Sequence, residues 1–197
     1  MKMDEKDALL LIEQMINNAK KELKDNGFYF LFWGWLVFIA AITNYYLLMF
    51  TDFEIHSLPW MILMPFGGIV TFVLSAREKK NTPRVKTYVD EILKQVIAAF
   101  AISLFTICLF MPIGGQWKAF YPSIMVIYSI WLYISGGMLK FKPLIWGAFL
   151  NWILAAVGFI YASTQVHLLL IAFAVLGGFI IPGYLLKQKF NRNVQGA

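Results

Sequence analysis

The sequence predicts an all-α membrane protein with six transmembrane helices, arranged as three hairpins, and an amphipathic helix before the first of them. The prediction depends on composition, on six apolar stretches of membrane length, and on where the cations lie between them. Of 197 residues, 60% are hydrophobic and 14% charged, whereas soluble domains have about 45–50% apolar and about 25% charged residues. This chain has too few charges to cover a water-facing surface, so the lipid bilayer is its expected surroundings.

Each apolar stretch is long enough to cross a bilayer core of roughly 30 Å as a helix rising about 1.5 Å per residue. The first, from Gly27 to Phe50, contains no charged residue. Polar segments or clusters of Pro and Gly separate the later ones. The predicted spans are residues 27–50, 58–76, 92–111, 120–139, 143–162 and 167–186, with a basic tail at 187–197.

The cations alternate between the two sides of the predicted bundle. Sixteen of the 17 Lys and Arg residues lie in the N-terminal segment, around the connections after spans two and four, or in the tail. The three other connections contain only Lys118. Because positively charged residues are retained on the cytoplasmic side of short loops, both termini are expected in the cytoplasm.

Residues 4–25 have a helical periodicity that gathers apolar side chains on one stripe. The segment 1–26 carries five lysines and six acidic side chains, fewer cations than a helix lying on a lipid surface usually has. We expect the helix to pack under the bundle, against a partner protein or against a second copy, with Asn26-Gly27 as a stop or hinge before span one. The stripe consists of Ala8, Leu9, Leu11, Ile12, Met15, Ile16, Ala19 and Leu23.

Glycine pairs suggest an internal repeat. Spans one and five share a Trp-Gly pair near the cytoplasmic end, at Trp33-Gly34 and Trp146-Gly147. This pattern favours three hairpins related as parallel repeats, although glycine is also common in membrane helices because small residues let helices approach closely. The pairs of the even-numbered spans are Gly67-Gly68, Gly136-Gly137 and Gly177-Gly178.

Two prolines near these pairs, Pro65 and Pro182, predict bends in spans two and six. A proline removes a backbone donor, so a carbonyl freed there could accept a hydrogen bond within the bundle. Such bends are also places where a bundle can move.

The chemistry that would indicate catalysis or ion coupling is missing from the spans. They contain no ionisable residue away from their ends, and such residues usually mark ion paths, proton relays or substrate sites. No catalytic constellation, metal-ligand spacing or phosphate-binding loop is found, so neither enzymatic activity nor a cofactor is expected. The net charge of +6 does not indicate nucleic acid, because the cations flank spans instead of lining a soluble domain.

One layer of side chains is predicted about 12 Å from the cytoplasmic end of the spans, counting about eight residues inward. An amide in hydrocarbon needs a partner, and Asn151 could bond Ser103, Tyr128 or a carbonyl freed by a helix break. The layer is either a pocket for a lipid-like or small amphipathic ligand or a set of helix-packing contacts. Its side chains are Trp35, Ser103, Trp131, Asn151 and Trp152, with Gly68 and Gly178 at the same depth.

The two histidines, His56 and His167, fall in the outer connections of hairpins one and three. Imidazole titrates near neutrality and ligates metals. With Asp52 and Glu54 nearby, they are a weak candidate for an outward-facing metal or pH-sensing site. The alternative is two solvated loop histidines.

Four short runs near the N-terminus form a recognisable pattern: Ile12-Glu13-Gln14-Met15-Ile16, Ala19-Lys20, Asn26-Gly27-Phe28 and Leu31-Phe32-Trp33-Gly34-Trp35-Leu36. With these runs, the N-terminal region resembles a group of uncharacterised bacterial multi-pass inner membrane proteins. The resemblance covers about residues 9–40 and implies a bacterial inner membrane, without an established activity or functional residues.

Two functions are expected from the sequence. The first is a non-enzymatic sensor or scaffold that engages a partner through its cytoplasmic helix and the loop from Arg77 to Lys86. The alternative is a transporter or channel for an uncharged or lipid-like solute.

Overall fold

A computed structural model describes residues 5–81, 88–161 and 163–195, and they form helices joined by short connections. No strand occurs in these ranges. Residues 82–87 of the loop from Arg77 to Lys86 lie outside the described part of the chain. The helices are α1 (Glu5–Phe50), α2 (Leu58–Asn81), α3 (Tyr88–Ile113), α4 (Trp117–Met138), α5 (Lys142–Ile160), α6 (Thr164–Val175), a π-helical segment (Leu176–Ile180) and α7 (Ile181–Gln195).

Six helical stretches are long and apolar enough to cross a membrane, which confirms the predicted fold class of an all-α polytopic membrane protein. Packing of α1 with α2, α3 with α4, and α5 with the sixth span gives the three hairpins. The stretches are Gly27–Phe50, Leu58–Arg77, Lys94–Ile113, Trp117–Met138, Lys142–Ile160 and Thr164–Arg192. The sixth combines α6, the π-helical segment and most of α7.

The core lies between α1, α4, α5 and the sixth span. The sixth span contacts all three of the others, and α4 packs most extensively against α5. Among the described residues, the backbone of α2 comes close only to that of α1, and the backbone of α3 only to that of α4. Trp60 at the start of α2 also reaches Tyr121 of α4, with ring centroids 6.0 Å apart. None of the most apolar stretch of α3 is buried, and almost none of that of α2. These two helices are therefore peripheral, each attached to a different wall of the bundle.

The first helix is longer than predicted and unbroken. It runs without interruption from Glu5 to Phe50, so the predicted stop or hinge at Asn26-Gly27 is wrong. A single glycine costs a helix only about 1 kcal/mol relative to alanine, which tertiary packing can offset. Gly27 is buried against α7, where a Cβ would make ordinary contact with the Leu186 side chain at 3.7 Å.

The sixth span changes its hydrogen-bond register in the middle. Five residues, Leu176–Ile180, form a π-helical turn that contains Gly177-Gly178, and Pro182 follows in α7. Helix α7 then continues to Gln195, so the described part of the predicted basic tail extends the helix beyond the last apolar turn.

Candidate functional site

The π-helical segment is held between α1 and α5 at two glycines. A Cβ placed on Gly34 would lie 2.9 Å from Cγ1 of Ile180, and one on Gly147 would lie 2.7 Å from Cα of Gly178. Real Cβ atoms do not approach other atoms so closely, so both positions need glycine. The Trp-Gly pairs of spans one and five therefore supply the two surfaces that enclose this segment.

The local sequence permits the π turn but does not require it. Glycines are compatible with irregular helix, and the absent N–H of Pro182 weakens the α-helical ladder just beyond the segment. A π turn inserts one residue into the helix and displaces carbonyls from their usual partners. Side chains of neighbouring helices must then satisfy the displaced groups.

Asn151 supplies such a bond. Its side chain is fully buried, and Nδ2 donates to the carbonyl of Gly147 in its own helix and to that of Ala174, both at 2.9 Å. Ala174 lies just before the π-helical segment. Of the three partners predicted for Asn151, the structure therefore shows the third, a backbone carbonyl next to the π-helical segment. The other amide atom, Oδ1, has no hydrogen-bond partner among the described residues.

The other side chains of the predicted layer do not converge on Asn151. Ser103 and Trp35 are exposed on the outside of the bundle. Trp131 packs against Phe100 of α3, with ring centroids 5.0 Å apart, and Trp152 packs against Tyr133 at 5.7 Å. These positions form separate helix–helix contacts around the bundle, and the structure does not join them into one ligand pocket.

The helix around Pro65 in span two differs from the helix around Pro182 in span six, the two places where bends are predicted. Helix α2 is continuous through Pro65, which is exposed. Gly67 faces α1, where a Cβ would lie 2.8 Å from Leu36, whereas nothing lies within 4 Å of a Cβ on Gly68. Pro182, by contrast, is fully buried.

The contact between α1 and α2 is reinforced by a polar pair. The indole Nε1 of Trp33 donates to Oγ1 of Thr71 at 3.1 Å. Because a hydroxyl facing hydrocarbon has few other partners, this bond fixes the rotation of α2 relative to α1.

A second polar cluster, which the sequence did not reveal, lies at the end of the bundle that holds the α1–α2 turn, the end predicted to face outward. Asn44 of α1 is fully buried. With its amide oriented to satisfy both atoms, Nδ2 donates to the His56 carbonyl at 2.8 Å and Oδ1 accepts from Nε1 of Trp60 at 2.9 Å. The Tyr121 hydroxyl lies 3.4 Å from the same amide. This outer cluster joins α1, the α1–α2 turn, α2 and α4.

The two histidines differ from their predicted setting. His167 is not in an outer connection: it lies in the first turn of α6, is 1% exposed, and has Nε2 2.8 Å from the Gly158 carbonyl. His56 lies in the α1–α2 turn and belongs to the outer cluster. Within the described ranges, no group of three or more His, Cys, Asp and Glu side chains could hold a metal ion.

No family model, curated protein or solved structure matches the chain. The functional argument therefore depends on the geometry of the chain itself.

Proposed function

We propose that this membrane protein is a non-enzymatic sensor or scaffold of a bacterial inner membrane, and that its N-terminal helix engages a partner protein in the cytoplasm. The observation that carries the proposal is the unbroken helix α1. Its 46 residues extend about 69 Å, of which the 24 residues of span one cover about 36 Å. The remainder of α1, residues 5–26, extends about 33 Å beyond the span, and we call it the arm.

The continuity of α1 supports an arm that leaves the membrane surface. An amphipathic helix lying in the membrane plane would need a sharp change of direction near residue 26. Sharp kinks come from prolines, Gly/Ser pairs, π turns or groups inserted into the ladder, and α1 contains no proline and stays α-helical through Asn26-Gly27. The nearly balanced charge of the arm agrees with this orientation.

The arm is also directly connected to the packed centre of the bundle. The helix that forms it carries Gly34, which contacts the π-helical segment, and Trp33, which bonds Thr71 of α2. Since no break separates the arm from these residues, a partner that tilts or rotates the arm would act on both contacts. This connection supports a sensor as well as a passive scaffold.

Photocrosslinking tests the proposal on the full chain in native membranes. A photoreactive amino acid at Ile12 or Met15, on the apolar stripe, should give one discrete protein adduct. The same group at Asn17 or Lys21, on the opposite face, is the matched control and should not. Equal labelling of both faces, or labelling of lipid alone, would contradict the proposal. Deletion of residues 1–24 should abolish co-purification of that crosslinked protein while the bundle stays folded, and unchanged co-purification would contradict the proposal.

A transporter for a lipid-like solute is the second candidate, and the separation of two core helices favours it. Helices α1 and α4 both pack on the sixth span, yet no Cα of α1 lies within 8 Å of one of α4 in the described ranges. Phe179 lies between them, with ring centroids 6.1 Å from Phe30 of α1 and 5.4 Å from Tyr128 of α4. These three rings are buried and fill the gap between the two helices, so an acyl chain would pass here only if the Phe179 ring moved aside.

Reconstitution tests this second candidate. If it holds, proteoliposomes should move a fluorescent lipid between leaflets faster than protein-free vesicles. The rate should change in Phe179→Leu but not in Phe173→Leu, because Phe173 is on the same span and is exposed. A rate equal to that of protein-free vesicles would exclude lipid movement.

A further inference from the structure

One end of the bundle carries positive charge that the later half of the chain cannot neutralise. Glu91 is the last acidic residue of the sequence, and seven cations follow it. Five of these, at positions 140, 142, 187, 189 and 192, lie where α4 ends, α5 begins and α7 leaves the apolar region. Lys189 and Arg192 make no ion pair with the side chains that the structure describes.

A shallow surface depression of about 270 Å³, which we call the cavity, lies at this end of the bundle, between the start of α5 and the end of α7. Apolar side chains line one side of the cavity, and cationic side chains line the other. The Nζ of Lys189 lies 5.5 Å from the centroid of the Phe141 ring, so the ring helps to hold the ammonium at the cavity. The cavity is lined by Phe141, Pro143, Leu185, Gln188, Lys189 and Arg192.

The α4–α5 turn places Phe141 in the cavity wall. The N–H of Phe141 donates to the Gly136 carbonyl at 2.9 Å, and that of Lys140 to the Gly137 carbonyl at 3.2 Å. This pair of bonds is the Schellman pattern, whose left-handed position usually holds glycine. Here Lys140 occupies it, with φ +48°. The turn also makes Phe141 the N-cap of α5, where it offers no side-chain acceptor.

The start of α5 therefore adds to the cationic character of the cavity. The first turn of a helix carries a partial positive charge. In α5 this charge acts without a set of free donors, because Pro143 has no N–H and the N–H of Leu144 donates to the Phe141 carbonyl at 3.2 Å. With no acidic residue in that turn, the helix end and the two cationic side chains all favour an anion.

The depth of the cavity matches that of a lipid headgroup. The α5 span begins at Lys142, and the last span ends at Arg192, so the cavity lies at the boundary between hydrocarbon and water. One face of α7 changes from the exposed apolar side chains of Ile181 and Leu185 to the cations Lys189 and Arg192. A phospholipid has a matching arrangement, with apolar acyl chains in the hydrocarbon and an anionic phosphate at the surface.

We propose that this cavity binds the headgroup of an anionic phospholipid, with its phosphate at Lys189 and Arg192 and its upper acyl chains along Leu185 and Ile181. Basic pockets between transmembrane helices are suited to such headgroups. This proposal does not depend on which partner the arm engages.

Native mass spectrometry of the detergent-purified full chain tests the site. Phosphatidylglycerol and phosphatidylcholine with identical acyl chains are titrated separately. Wild-type protein should retain phosphatidylglycerol in preference, and Lys189→Gln with Arg192→Gln should weaken that binding by roughly 30-fold. The control double variant, Lys94→Gln with Lys187→Gln, removes the same charge from positions that do not line the cavity, and should bind like wild type.

Other results would overturn the site. An equal loss in both double variants would show attraction by net charge alone, and no loss in either would exclude a role for the cavity. If millimolar inorganic phosphate displaced the lipid completely, the cavity would be a free-phosphate site. Size-exclusion chromatography and circular dichroism establish that each variant is folded before the titration.

Discussion

Gly147 and Gly178 bring α5 and the π-helical segment together so closely that a Cβ on Gly147 would lie 2.7 Å from Cα of Gly178. A backbone atom cannot move aside as a flexible side chain can, so the contact fixes how α5 crosses the sixth span. The same segment meets Gly34 of α1 on another side. The packing of the bundle therefore depends on an irregular turn enclosed by small residues.

Gly147→Ala should destabilise the bundle by about 1–3 kcal/mol, because the added methyl group overpacks a backbone contact. Gly137→Ala is the matched control: nothing lies within 4 Å of a Cβ there, and relief of glycine's entropy cost should stabilise the helix by about 0.5–1 kcal/mol. Unfolding of the detergent-purified proteins by denaturant gives both values. Equal effects of the two substitutions would contradict the close contact.

Sequence reasoning predicted the large-scale fold because the signals for it are strong. Span length and the absence of charge are set by the thickness of the bilayer core, so all six spans, including the one that begins at Gly27, were evident. Charge counting adds a predicted orientation. The stop at Asn26-Gly27 was wrong because its local signal is weak and the close approach of α7 to Gly27 is a tertiary effect.

The predicted layer of side chains shows that sequence alone gives the depth of a residue along a span but not the direction in which its side chain points. Depth can be counted along a span, but the rotation of each helix cannot, so Ser103 and Trp35 at the correct depth face outward while Asn151 faces inward. The π turn was also beyond prediction, since glycine pairs are compatible with α and π registers alike. The outer cluster was missed although an amide in an apolar run, Asn44, was a usable signal.

Asn151→Ala should lower the free energy of unfolding by about 1–2 kcal/mol, since it removes an interhelical hydrogen bond to the Ala174 carbonyl. Ser103→Ala, at the same predicted depth but on an exposed face, should change it by less than about 0.5 kcal/mol. Thermal unfolding in a single detergent would compare them. A larger loss in Ser103→Ala than in Asn151→Ala would show that the assignment of inner and outer faces is incorrect.

The bond between Trp33 and Thr71 should couple the two side chains energetically. A double-mutant cycle with Trp33→Phe and Thr71→Val measures this coupling free energy. We expect a coupling of about 0.6 kcal/mol, the average for interhelical hydrogen bonds in a membrane protein. Additive effects of the two substitutions would mean that the 3.1 Å contact contributes nothing to stability.

Asn44→Leu should destabilise the outer end of the bundle by about 1–3 kcal/mol, because the Trp60 indole N–H and the His56 carbonyl lose their buried partner. Thr43→Leu, one residue earlier and exposed, serves as the control and should be nearly neutral. Thermal unfolding of the detergent-purified proteins compares the two variants. An unchanged midpoint in Asn44→Leu would argue against the cluster.

The proposal of a projecting arm requires α1 to be one unbroken helix in a bilayer, and a single distance tests this requirement. Spin labels at positions 17 and 39, in a Cys108→Ser background, lie on either side of Asn26-Gly27 within α1. Pulsed electron paramagnetic resonance on the protein in lipid nanodiscs should give one narrow distribution at about 33 Å, as the rise of a straight α-helix requires. A distribution centred at about 24 Å, as a right-angle bend at Asn26-Gly27 would give with the same helical rise, would contradict the account.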